Sequence, residues 1–225
     1  MTTTAAATTA PPRSERPARF GLTALAVIAP IGPLAVAGIR ALLPYQTTDD
    51  AAGIVAGVAA DPGAQDTVVM LGVVASLTLI VGVLVVSMAA IRTAPILGTV
   101  GAVLAFLGFA SVSTGPAAID LAALAAVRTG IGDPAAARLV EEMAAHPGTA
   151  VATGLFVFGH IVGTVLLGIA LWRMVPRWAA VALIVSQPLH LVFAVIMPNG
   201  WLDAAAWTLT AIGFAAAGVA FRRMR

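Results

Sequence analysis

TVVMLGVVASLTLIVGVLVVSMAAI, residues 67–91, carries no charged side chain from end to end. A helix needs roughly 20 mainly apolar residues to cross the hydrocarbon core of a bilayer. In lipid, a helix satisfies all its backbone N–H and C=O groups within one segment. The stretch therefore reads as a membrane-spanning helix. Five more stretches nearly free of charge flank it: Phe20–Leu43, Ile96–Thr114, Thr149–Trp172, Trp178–Met197 and Trp201–Phe221. Together they predict an all-α, polytopic membrane bundle of six transmembrane helices, with residues 20–225 forming a single membrane domain. Residues 1–19 are rich in Thr, Ala and Pro, carry Arg13, Arg16 and Arg19, and show no apolar periodicity. They read as a disordered cytoplasmic tail. The apolar run that follows is longer than the core of a usual signal peptide, so the first span is expected to be retained.

Composition agrees. Charged residues make up 10% of the chain and apolar ones 60%, whereas a soluble domain carries about 25% charged residues. So few charges do not cover a water-facing surface. All twelve basic residues are Arg and none is Lys, which excludes a lysine Schiff base. The absence of Cys excludes disulfides, thiolate metal sites and thiol catalysis. The basic balance reflects loop arginines and implies no nucleic-acid partner. The expected partner is the lipid bilayer.

The arginines also set the orientation. Arg13, Arg16 and Arg19 precede the first span, and Arg92 separates the second from the third. Arg173 and Arg177 lie between the fourth and fifth, and Arg222, Arg223 and Arg225 close the chain. Two spans separate each cluster from the next, so all face one side. Positive charge stays in the cytoplasm, which places both termini inside a bacterial plasma membrane. Trp172, Trp178, Trp201 and Trp207 fall near span ends, where interfacial anchors belong.

The first two outer loops are expected to hold short amphipathic helices. In the first, Thr47 and Asp50 suggest a capping box, with Ile54, Val55 and Val58 on one face. In the second, Pro116 opens a helix and Gly130 ends it. Asp133-Pro134 starts another, with Leu139, Val140 and Met143 on one side, and Pro147 stops it. An internal repeat runs through these elements. Residues 59–63, AADPG, match residues 144–148, AAHPG, and Ile80-Val81-Gly82 matches Ile161-Val162-Gly163. In that register Arg92 falls on Arg173 and Pro95 on Pro176. The duplicated unit spans about residues 47–114 and 116–197.

Polar residues inside a membrane are costly and mark candidate sites. Thr149, Thr153, His160 and Thr164 recur at helical spacing. Gly159 and Gly163 beside them allow a close helix approach. Ser186, Gln187, Pro188 and His190 cluster in the next span, where Pro188 cannot donate its backbone hydrogen bond. His160 and His190 are nearly equidistant from the inner turn between them, so they reach similar depth. The repeat places Leu79 and Phe109 opposite these two histidines. The candidate ligand site is a cleft between the fourth and fifth spans, open to the outer side. It is lined by Thr153, His160, Thr164, Ser186, Gln187 and His190. Three readings stand: hydrogen bonds that tie the bundle together, a ligand pocket or proton-linked transport path, and haem or metal ligation by His160 and His190. Neither histidine has a carboxylate near it in sequence to orient its second nitrogen. His146 reads as a helix-end residue near carbonyls, and Asp203 as interfacial. Pro30 and Pro33 are expected to kink or break the first span.

No phosphate-binding Gly loop, His-Glu-x-x-His or Gly-x-Ser-x-Gly motif is present. No catalytic residues and no resident cofactor or metal are expected, and the chain reads as a ligand-binding or accessory membrane protein with no enzymatic role. Residues 159–173, GHIVGTVLLGIALWR, followed by Pro176-Arg177-Trp178-Ala179 and preceded by the helix–AAxPG–span arrangement, resemble a family of six-span bacterial proteins. That family is common in actinobacteria and is known only as a domain of unknown function. The resemblance covers most of the chain after residue 20 and implies a helical membrane bundle with no assigned activity.

Overall fold

The computed structural model describes residues 15–223, with side chains for residues 20–223. Residues 1–14, which hold most of the expected tail, lie outside the described residues. Residues 15–19 already belong to a helix. The helices are α1 (Glu15–Ile28), α2 (Ile31–Leu42), α3 (Ala51–Ala60), α4 (Pro62–Thr93), α5 (Pro95–Ala110), α6 (Pro116–Arg128), α7 (Asp133–Ala145), α8 (Pro147–Ala170), α9 (Arg177–Leu191) and α10 (Gly200–Arg223). A π-helical turn, Val192–Ile196, extends α9. No strand occurs among the described residues.

Proline sets many of the boundaries. It lies in the opening positions of α4, α5, α6, α7 and α8, where its missing N–H has no helical partner to lose. The first span is broken as expected: α1 ends at Ile28, and a turn through Ala29 and Pro30 leads into α2. Gly130 takes a left-handed conformation, φ +69°, after α6. The capping of α3 differs from the expected box. Asp50 is the cap and its carboxylate accepts the Gly53 N–H at 2.8 Å, while Thr47 is drawn away to Arg40. His146 likewise serves a helix start, its Nδ1 accepting the Gly148 N–H at 3.1 Å at the head of α8.

Five helical segments among the described residues are long and apolar enough to cross a membrane: Phe20–Leu42 through α1 and α2, then α4, α8, Arg177–Ile196, and α10. The stretch expected to be the third span, α5, has 16 residues and gives way at Ser111 to a turn. Its rise of about 24 Å falls short of the roughly 30 Å hydrocarbon thickness. Each segment packs on its neighbours in sequence, and α10 closes the ring against α1 and α2 while also touching α4. Large apolar side chains remain on the outside as well, with Met70, Leu77 and Phe158 more than half exposed. An exterior this apolar is what a lipid solvent allows.

The closest helix approach joins α5 and α8. A Cβ added at Gly108 would sit 2.3 Å from the His160 backbone N, and one at Gly163 would sit 2.3 Å from the Ala105 N. The Gly159–Gly163 step read from sequence thus meets α5.

The short helices α3, α6 and α7 pack on one another over the ends of α4 and α8. They have their own core of Val55, Val58, Ala123, Leu124, Ala136 and Val140. The expected face of α7 is narrower than read, because Leu139 points outward.

Candidate functional site

The two histidines meet. The ring centroids of His160 on α8 and His190 on α9 lie 5.4 Å apart. Trp207 from α10 completes a triangle, 5.6 Å from His160 with the rings stacked and 5.1 Å from His190 with the rings edge-on. Phe156 stacks on His160 at 4.2 Å, and Phe109 approaches it at 5.6 Å. Trp207 was expected at the interface; instead it is fully buried. The reason is the rotation of α10, which turns Asp203, Trp207, Thr210 and Phe214 into the bundle at helical spacing.

Asp203, read from sequence as interfacial, is buried as well. Its carboxylate has no exposure, and it lies against Arg40 of α2 through one oxygen and His190 Nδ1 through the other, the latter at 2.5 Å. So a carboxylate does orient His190, supplied by α10 and not by the local sequence. Arg40 also donates to Thr47 Oγ1 in the loop toward α3. The indole N–H of Trp207 points at the same His190 Nδ1, 3.0 Å away. A single nitrogen cannot donate to the carboxylate and accept from the indole at once. The two partners therefore compete for it.

His160 is wholly buried. Its Nδ1 lies against the Phe156 carbonyl one turn back. A carbonyl only accepts, so Nδ1 carries the proton and Nε2 presents a bare lone pair. That Nε2 makes no hydrogen bond of standard geometry, and neither do Gln187 Oε1 and Thr164 Oγ1. Gln187 turns its Nε2 to Thr210 Oγ1 at 2.7 Å, and its side chain makes a further, looser hydrogen-bonding contact with His160. Thr164 sits one turn along α8 from His160 on the same face.

The site thus lies among α8, α9 and α10, lined on one side by α5, and is not a two-helix cleft. It is also closed: His160, Thr164, Ser186 and Gln187 have no exposure, and His190 keeps only a small one. Two of the expected residues stand apart. Ser186 donates to the Leu183 carbonyl of its own helix at 2.9 Å. Thr153 lies about two turns before His160 on α8, against Gly115.

A second polar cluster holds the short helices to the bundle. Tyr45 donates to the Asp120 carboxylate, and the buried Gln65 donates to the same group at 3.0 Å. Burial pushes the Asp120 carboxyl above its usual range, against the opposing pull of hydrogen bonds from Tyr45 and Gln65 and the charge of Arg40. Burial, then the charge of Asp120, pushes the Tyr45 phenol far up, so it stays neutral.

No protein-family model, curated protein or solved structure matches the chain.

Proposed function

We propose that this is a multi-pass protein of the bacterial plasma membrane that binds a small polar ligand inside its bundle, at His160, Thr164 and Gln187, approached past His190 and the Arg40–Asp203 pair. One observation carries the reading: three polar atoms of buried residues on neighbouring helices, His160 Nε2, Thr164 Oγ1 and Gln187 Oε1, make no hydrogen bond of standard geometry. Buried polar groups are almost always hydrogen-bonded, so such a cluster calls for a bound group. Two of the three, His160 Nε2 and Gln187 Oε1, only accept. The ligand they suit is a donor, such as a hydroxyl or amino compound. The test is native mass spectrometry of protein drawn from cells in mild detergent. An adduct is expected on the wild type and not on Thr164→Val or Gln187→Leu. A wild type that carries no adduct and gains no thermal stability from a panel of hydroxyl and amino solutes would overturn the reading.

A second reading, proton-linked transport, is favoured by the succession Arg40, Asp203, His190, His160 running inward from the outer end. Carboxylate–histidine chains of this kind serve as proton relays in membrane transporters. It predicts proton-dependent flux in proteoliposomes that Asp203→Asn abolishes. Haem ligation by His160 and His190 fits poorly, because Trp207 packs against both rings and Phe109 and Phe156 fill the space around His160.

The same proposal includes six spans with both termini in the cytoplasm, supported by the arginine distribution. It includes duplication, supported by the recurring order of short helix, proline-led long helix and following helix in α3–α4–α5 and α7–α8–α9. It also includes kinship with the family of unknown function. The chain has no cysteine of its own, so single introduced cysteines test the topology directly. Thr93→Cys and Pro176→Cys should resist an impermeant thiol reagent in intact cells, and Ala60→Cys and Gly132→Cys should react.

A further inference from the structure

A groove of about 670 Å³ opens between α9 and α10 at the end of the bundle opposite Asp203. Its walls are apolar, from Met174, Ile212, Ala216 and Val219, and its mouth is framed by Trp178 and Arg223. Along α10 it runs from Ile212 to Arg223. That is a length of about 16 Å, close to half the roughly 30 Å hydrocarbon thickness. The groove thus reaches from one membrane surface to the midplane, the depth of one leaflet.

The mouth carries exposed positive charge. Arg177 lies between the lining residues Pro176 and Trp178 and is exposed, and Arg173 and Arg222 are exposed nearby in the chain. None of these four arginines forms an ion pair among the described residues. From residue 147 to residue 225 the only acid is Asp203, which is buried at the far end and held by Arg40. The start of α9 adds the positive end of its helix dipole at Arg177.

We propose that this groove binds one anionic phospholipid, its acyl chain laid along Ile212–Val219 and its phosphate between Arg177 and Arg223. Apolar length alone does not discriminate among lipids, because every lipid offers it. The arginines do, by about fivefold each for a charge held near the membrane surface. The inference rests on the membrane reading, and the experiment separates the two. The full chain is reconstituted into phosphatidylcholine vesicles containing a minority of phosphatidylglycerol, checked by flotation, then extracted gently for native mass spectrometry.

Wild type should float and retain one phosphatidylglycerol over phosphatidylcholine by at least about fivefold. Arg177→Gln with Arg223→Gln should float and bring that preference near parity. Ala216→Trp should float and retain no lipid. Failure of the wild type to float would overturn the membrane reading itself. Flotation with equal retention of both lipids, or with a preference that the double arginine variant keeps, would overturn the lipid site alone. So would a lipid-free dimer, which would place a second copy over the groove.

Discussion

Replacing Thr164 by Val should stabilise the protein in the absence of ligand. The hydroxyl is fully buried on α8 and has no hydrogen-bond partner. Valine keeps the branched shape and exchanges the orphaned oxygen for a methyl group. Leaving a buried hydroxyl unsatisfied costs about 1–3 kcal/mol in soluble proteins. In a bilayer the unfolded helix also finds partners for its polar groups, and measured polar contributions there average about 0.6 kcal/mol. The expected gain is therefore about 1 kcal/mol, a rise in melting temperature of about 2–4 °C for a chain of this size. Thermal unfolding in mild detergent, followed by tryptophan fluorescence, measures it, and the same variant should lose the adduct sought above. A stabilised variant without ligand marks a group kept for binding at the expense of stability. A loss of 1 kcal/mol or more (again set against the ~1–3 kcal/mol scale of a lost buried hydrogen bond) would mean that the hydroxyl is structurally engaged, and the argument from orphaned atoms would fail.

The remaining predictions concern packing, charge and pH. Gly108→Ala should destabilise by about 1–3 kcal/mol, because its new carbon would meet the His160 backbone, whereas Gly154→Ala faces open space and should be neutral or better; equal melting temperatures would disprove the close crossing. Asp203→Leu or Arg40→Met alone should cost about 3–5 kcal/mol by stranding a buried charge, and the double variant should recover much of it; strictly additive losses in the four melts would show that the pair does not act as one unit. Asp120 binds its proton more tightly folded than unfolded, so its contribution to stability is complete below about pH 4, the usual carboxyl value, and is lost as pH rises through its raised value. Hydrogen exchange in α3 and α6, corrected for intrinsic rates, should show less protection at pH 8 than at pH 4.5, and Asp120→Asn should flatten the difference; a difference that persists in that variant would assign it elsewhere.

Much of the frame is legible in the sequence, and the reasons are local. Charge-free length announces the long helices, and proline at the first turn marks where α4, α5, α6 and α8 begin. The pairing of His160 with His190 follows from counting residues either side of one tight turn. What escaped the sequence depends on rotation and on distance along the chain. Nothing local in α10 says which face turns inward, since alanine and glycine surround Asp203 and Trp207 alike, so both read as interfacial. The Arg40–Asp203 contact joins residues 163 positions apart, beyond any spacing rule. The small core of α3, α6 and α7 was hidden for a similar reason. Each helix alone looks like a surface helix, and only their mutual packing gives Val55 and Val140 a common interior. The shortness of α5 was partly visible in Ser111, Ser113 and Thr114, hydroxyl residues that favour turns over helix.

Arg40 holds two masters. One edge of its guanidinium neutralises Asp203 within the bundle, and another grips Thr47 on the strap that leads to the short helices. Lifting that strap pulls on the counter-ion of a fully buried carboxylate. Uncovering the outer end of the molecule and disturbing the ion pair behind it are then one event, so whatever dislodges the strap is also felt at a carboxylate in the interior.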